Sequence, residues 1–208
     1  MRMDRTLRRS ALILLVATLI LWLNLVENSR IAQASDVQAT PTRISRVVSV
    51  SNYGLTFITD EITLQGGNSV SIGIPMQYVN NLIEYYCPDQ TVGIAPFSNP
   101  EYPNITFINI TSEAAREQIS LVTVLRGLIS QGAQGEFNLR FPENPVLLQE
   151  LQTFDISIML PRDAEITPPG GFNITTTNQT AILYTNTTTL DPLSTRDLSI
   201  DFKSGTVH

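Results

Sequence analysis

Val70, Ile72 and Ile74 alternate with Ser71 and Gly73, and a run with that period buries one face only as a β-strand. The same period of two returns at Phe137, Leu139 and Phe141, and again at Phe154, Ile156, Ile158 and Leu160. Near the end Leu198, Ile200 and Phe202 alternate with Ser199, Asp201 and Lys203. Short strands divided by Pro/Gly turns, with only 15% charged residues in 208, predict a mainly β, β-sandwich-like domain with one or two short helices. No internal repeat of fixed period is visible.

Taken in order, Ile44 to Ser51 and Leu55 to Leu64 read as paired strands around Asn52-Tyr53-Gly54, a turn with glycine available for positive φ. Gln65-Gly66-Gly67-Asn68 is a second tight turn. Pro75 closes the next strand and suits the first position of a helix. Met76, Val79, Leu82 and Ile83 then fall on one stripe of a two-turn helix over Met76 to Tyr85, with Asn80, Asn81 and Glu84 on its wet side. Cys87 to Pro103 reads as loop, Ile105 to Ile110 as strand, Ser112 to Gln118 as one helical turn and Leu121 to Leu125 as strand. Asn173 to Leu190 follows Pro168-Pro169-Gly170-Gly171, and eleven of its eighteen residues are Thr or Asn. It reads as a long exposed loop or an edge hairpin around Ala181 to Tyr184.

Residues 1–34 have the form of a targeting segment. Arg2, Arg5, Arg8 and Arg9 precede an apolar run from Ala11 to Leu25, and Ala32-Gln33-Ala34 offers a cleavage site before Ser35. The expectation is a signal peptide or an uncleaved signal anchor helix, then a linker over 35–42 and an extracytoplasmic or lumenal domain over 43–208, membrane-associated or secreted. Without that segment 8 basic residues face 17 acidic ones, a charge of −9, which argues against nucleic-acid partners. Cys87 is the only cysteine, so intramolecular disulfides and cysteine-based zinc sites are excluded, and its setting is that of a small buried hydrophobe.

Five N-glycosylation sequons begin at Asn104, Asn109, Asn173, Asn178 and Asn186. Asn104 and Asn109 are five apart, so a regular strand puts at most one of them on its wet face. His208, the last residue, is the only histidine, which rules out Ser-His-Asp and Cys-His arrangements inside one compact site. Asp60 and Glu61 point to opposite faces of a strand and cannot converge on one substrate. Asp163 and Glu165 share a face, where a solvated turn is the simpler reading than a calcium site. No catalytic, cofactor-binding or metal-binding residue is assigned.

The segment order resembles the first lumenal domain of the ribophorin I family, non-catalytic subunits of the oligosaccharyltransferase. The likeness runs through Arg46-Val47-Val48-Ser49-Val50-Ser51, Asp60-Glu61-Ile62-Thr63-Leu64, Ser69-Val70-Ser71-Ile72-Gly73-Ile74-Pro75 and Met76 to Tyr85. It continues in Phe141-Pro142, in Phe154-Asp155-Ile156-Ser157-Ile158-Met159-Leu160-Pro161 and in Leu190-Asp191-Pro192 to Phe202. It rests on patterned apolar positions from about Arg43 to His208. The family architecture implies a second lumenal domain and a C-terminal membrane helix, so this chain is either a shortened relative or one that ends early.

The resemblance implies a supporting role beside a membrane-bound glycan-transferring complex, with protein partners, no cofactor and no catalytic residues. Tyr78, Tyr85 and Tyr86 are the expected contact surface. Two other classes compete: a glycosylated structural protein of the cell surface or envelope, and a carbohydrate-binding or hydrolytic β-sandwich, which a bound metal or an aromatic platform over an open groove would favour.

Overall fold

The computed structural model describes residues 37–205 apart from 90, 133–134, 162, 167–172, 178–179 and 188; the side chains of 173–187 are likewise outside what it describes. The targeting segment therefore lies outside the described residues. Val37 opens a compact unit, and this unit is mainly β.

β1 (Thr40–Val50) and β2 (Thr56–Gln65) form the expected hairpin, with Arg46 opposite Asp60 and Val48 opposite Ile58. The Ser51 N–H donates to the Leu55 carbonyl at 2.9 Å, and Gly54 takes φ +74° in the turn. β1 starts earlier than expected. The proposed linker over 35–42 is folded from Val37 onward: Ala39 is fully buried and its N–H donates to the Ser69 carbonyl at 2.7 Å. Both Gly66 and Gly67 have positive φ, +64° and +71°. That turn does not close a hairpin but carries the chain into a second sheet.

There β3 (Ser69–Pro75) pairs with β6 (Ile105–Ser112), which pairs in turn with β5 (Val92–Ser98). β5 lies inside the stretch expected to be loop. Its Pro96 is tolerated because the strand is at the sheet's edge, where a missing N–H breaks no ladder. Nor does Ser112 to Gln118 make a helical turn; Ser112 donates to the Ala114 carbonyl instead.

The expected helix over Met76 to Tyr85 is the largest correction. α1 spans only Met76–Val79, and β4 follows at Leu82–Tyr86. Asn80 and Asn81 stop the helix. The Asn81 N–H turns back to the Tyr78 carbonyl, and its side-chain amide donates to the Arg126 carbonyl at 2.8 Å. The following β-formers then gain more by laddering against β7 (Gln118–Leu125) than by extending the helix. The inward stripe does not form: Met76 is 44% exposed and Ile83 49%, while Tyr78 is the buried residue of α1.

β8 (Ile129–Gln131), β9 (Glu136–Pro142), β11 (Glu165–Ile166) and β14 (Asp197–Lys203) make a four-stranded sheet in the order β11-β14-β9-β8. The remaining strands are β10 (Thr153–Met159) and the hairpin β12 (Asn173–Thr177) and β13 (Thr180–Thr187). The Thr/Asn stretch is thus an edge hairpin of the seven-stranded sheet β12-β13-β10-β1-β2-β7-β4. One apolar cluster joins the three sheets, drawing on Ile44, Ile62 and Phe154 from the large sheet, Ile72 and Ile110 from the small one, and Leu139 and Ile200 from the third. The described residues hold no helix long and apolar enough to cross a membrane.

Candidate functional site

Two built polar arrangements stand out. The first is internal. Arg46 and Asp60 are 4% and 2% exposed, on inward positions of β1 and β2. The Arg46 guanidinium donates Nε to Asp60 Oδ1 and Nη2 to Oδ2, both at 2.7 Å, and Nη1 to the Pro142 carbonyl at 2.8 Å. The fork matches the carboxylate geometry and ties the large sheet to the end of β9. The pair borders a cavity of about 20 Å³ shared with Thr123 and Asn144, which is room for one water. This is a structural clasp, sealed from any substrate.

The second arrangement reaches the surface where α1 meets β9 and β14. Asp197 Oδ1 accepts from Tyr78 Oη at 2.7 Å, and both its oxygens lie 3.1 Å from Gln77 Nε2. Arg140 donates Nη2 to Oδ2 at 2.7 Å and Nε at 3.2 Å. Partial burial pushes the Asp197 carboxyl up, but the bonds from Tyr78, Arg140 and Gln77 outweigh it and hold it below the usual carboxylate range. Burial, then the Asp197 bond and charge, raise the Tyr78 phenol above its ordinary value. These contacts fix α1, a single turn with no side-chain cap of its own.

A groove of about 640 Å³ opens beside this junction, lined by Met76, Gln77, Asn104, Ile105, Leu193 and Asp197, together with Pro75 and Thr195. Among the described residues Leu193 is the one non-glycine with positive φ, +58°. For a branched side chain that conformation is uncommon and is held only by its surroundings. Here the Leu193 N–H donates to the Leu147 carbonyl at 2.8 Å, and buried Asn144 accepts from the Arg196 N–H and donates to the Ser194 carbonyl. These bonds anchor the wall, and it pairs apolar side chains with amide and hydroxyl groups that can hydrogen-bond a ligand's backbone.

Asp197 gives a direct test of the junction. A carboxyl with a depressed folded-state value stabilises above its unfolded value of about 3.9, and that stability is lost as pH falls through the lower folded value. Tyr78→Phe, which removes one bond to a charged acceptor, is expected to cost about 1.5–3 kcal/mol at pH 7. The loss should shrink to that of a neutral hydrogen bond, about 0.5–1.5 kcal/mol, once acid has protonated Asp197. Urea titrations at pH 7 and in acid read both numbers, and a pH-independent loss would mean that the Tyr78 hydroxyl gains nothing from the Asp197 charge.

The expected contact tyrosines part ways. Tyr78 is buried and serves the junction, Tyr85 packs partly against the core, and Tyr86 is 39% exposed on the opposite face of β4. Among the sequons, Asn104 is exposed at the groove. Asn109 is half-buried in the central strand of its sheet, where its amide donates to Thr111 Oγ1 and its oxygen accepts from Ser71 Oγ, each at 3.2 Å. Asn173 and Asn186 lie on β12 and β13, and Asn178 lies outside the described residues. Asp163 accepts from Ser204 Oγ and the Gly205 N–H at 2.8 and 2.6 Å, clasping a turn, while Glu165 faces Lys203 across the ladder. Phe97, Phe107 and Tyr102 do cluster, but Phe107 is fully buried beneath its neighbours, so they form no open platform. The Cys87 thiol is pushed up to about 11 by burial and then by the Asp89 charge, the setting of an inert cysteine.

No protein-family model matches the chain, and no curated protein matches it. Among solved structures, yeast LTA4 hydrolase bound to bestatin overlaps with 10% identity and a TM-score of 0.47 over 83% of this chain. The chain spans 29% of that hydrolase. A nutrient-binding protein candidate from Legionella pneumophila overlaps with 10% identity and a TM-score of 0.48, covering 82% of this chain and 68% of the other. The folded domain of Mycobacterium tuberculosis LppM gives 11% identity and a TM-score of 0.30, covering 82% and 94%. None of the three is a ribophorin, and overlaps of this quality assign neither a fold family nor an activity.

Proposed function

We propose that this chain is a non-catalytic protein-binding domain whose sandwich-like β scaffold presents the groove beside α1 to an extended segment of a partner protein. The observation that carries the reading is the groove's lining. Met76, Ile105 and Leu193 offer apolar contact beside the amides of Gln77 and Asn104 and the hydroxyl of Thr195, the combination an extended peptide needs. The Asp197 oxygens are already taken by donors on α1 and β9, which suits a positioning role better than acid–base chemistry. The partner is the one the ribophorin I resemblance implies, a membrane-bound glycan-transferring complex that this exported domain supports.

The test is gentle-detergent capture from native membranes with the chain and with Met76→Glu, followed by mass spectrometry. Recovery of the catalytic glycan-transferring subunit by the native chain, and its loss with the variant, is the expected result. Recovery of surface-layer or envelope proteins alone would sink this reading. Export would also expose the sequons, and of the two with described side chains Asn104 is the open acceptor. A glycan there would shield the groove's mouth, so capture is done with enzymatically deglycosylated chain as well.

A further inference from the structure

We infer that Leu193 is the residue by which the groove selects its occupant, and that this occupant is an extended, uncharged segment seated through one apolar side chain; the inference rests on the protein-binding reading of the groove. Local structure does not ask for a leucine at this position. Asp191 to Ser194 closes as a β-turn: the Ser194 N–H donates to the Asp191 carbonyl at 3.2 Å, Pro192 holds the second place, and Leu193 holds the third at φ +58°. Proline second and a positive φ third is the pattern of a type II turn, whose third position suits glycine or asparagine. A leucine there brings its Cβ too close to the following carbonyl oxygen. The surroundings enforce the geometry all the same. The Leu193 N–H donates to the Leu147 carbonyl at 2.8 Å, and Asn144, only 2% exposed, donates to the Ser194 carbonyl at 2.7 Å.

Core packing does not account for the leucine. Leu190 before it belongs to the apolar core cluster, and Leu198 after it packs against that cluster, but Leu193 does neither. It lines the groove instead, with Met76 and Ile105. Backbone strain that the core does not offset collects at binding sites. Here the strained residue is one of the groove's main apolar contacts.

Charge narrows the occupant further. Asp197 is the charged residue of the groove's lining, and the chain carries a net charge of −6, so an acidic segment is repelled. Its two carboxylate oxygens already accept from Tyr78, Gln77 and Arg140, which leaves a basic segment no open counter-charge. An uncharged segment with an apolar anchor is what the lining fits.

Capped pentapeptides with two threonines on each side of a central leucine, alanine or glutamate are the probes. Each is titrated into the isotope-labelled full chain and followed by amide chemical shifts. The leucine peptide should move the Met76, Asn104 and Thr195 amides and bind at least tenfold more tightly than the other two. Leu193→Asn, which suits the turn and removes the apolar contact, should weaken that peptide at least tenfold. Its melting temperature should stay level or rise by up to about 4 °C. Leu193→Ala, which keeps the left-handed strain, should lose the same binding without the rise. A leucine peptide that binds no better than the glutamate one overturns the inference, as does a loss under tenfold in Leu193→Asn. So does a Leu193→Asn chain that melts below the native one, because the leucine would then serve the fold. Capture from membranes is read separately. Peptide selection without capture removes the proposed partner and keeps the role of Leu193, whereas capture without peptide selection does the reverse.

Discussion

Asp60→Asn is expected to destabilise the domain by about 3–5 kcal/mol, because it leaves the Arg46 guanidinium buried without a counter-charge. Asp60 and Arg46 are among the most buried polar residues of the chain, and both carboxylate oxygens receive an Arg46 donor. Against a typical stability of about 5–15 kcal/mol, that is about a fifth of the total or more. Arg46→Met with Asp60→Leu should recover most of the loss, since replacing both members of a buried pair with apolar groups is often neutral or better. Urea midpoints for the single and double variants settle it. A single-variant loss below about 1 kcal/mol would mean that solvent reaches the guanidinium.

The second large effect is Gly67→Ala. A Cβ there would stand 2.3 Å from the Val37 carbonyl oxygen and 2.6 Å from the Ala39 nitrogen, both backbone atoms, at φ +71°. The left-handed conformation alone costs about 1–2 kcal/mol. The collision then forces Val37–Ala39 away from the turn, at the expense of the bonds between Val37 and Asn68 and between Ala39 and Ser69. Each is worth about 0.5–1.5 kcal/mol, so a total of about 3 kcal/mol or more is expected. Gly66→Ala is the internal control: φ is +64° there, but nothing lies within 4 Å of the added carbon, and only the conformational cost of about 1–2 kcal/mol should appear. Urea titration of both variants, with amide exchange at Ala39, checks the difference; equal losses would place the whole effect in the backbone conformation.

Strands with one wet and one dry face were legible because their alternation survives in the letters, as at Phe137 to Phe141; Val70 to Ile74 alternates in the letters too, but both faces of β3 are buried. The short edge strands were not. In β4 and β5 most residues are at least partly exposed, so no period distinguishes them from loop, and the apolar spacing from Met76 to Ile83 imitated a helix. The Arg46–Asp60 clasp was available and overlooked. Arg46 has the parity of Ile44 and Val48, Asp60 that of Ile58 and Ile62, and a hairpin turned at Asn52 to Gly54 sets the two opposite each other. Opposite charges at inward positions of two paired strands are the signal. The junction at Asp197 left no such trace, since Tyr78 stands 119 residues away in sequence, and only tertiary packing brings them together.

The pairing of β1 with β10 has a consequence for how the chain comes to be. It is a parallel ladder running from Arg43 against Thr153 to Ser49 against Met159, and it lies inside the large sheet. A chain emerging amino-terminus first can close the β1–β2 hairpin at once, but the other side of β1 has no partner until more than a hundred further residues have appeared. Loop closure over that distance is slow, and meanwhile an apolar, half-satisfied strand is open to neighbouring chains. Until residue 159 arrives, β1 is held on one side alone.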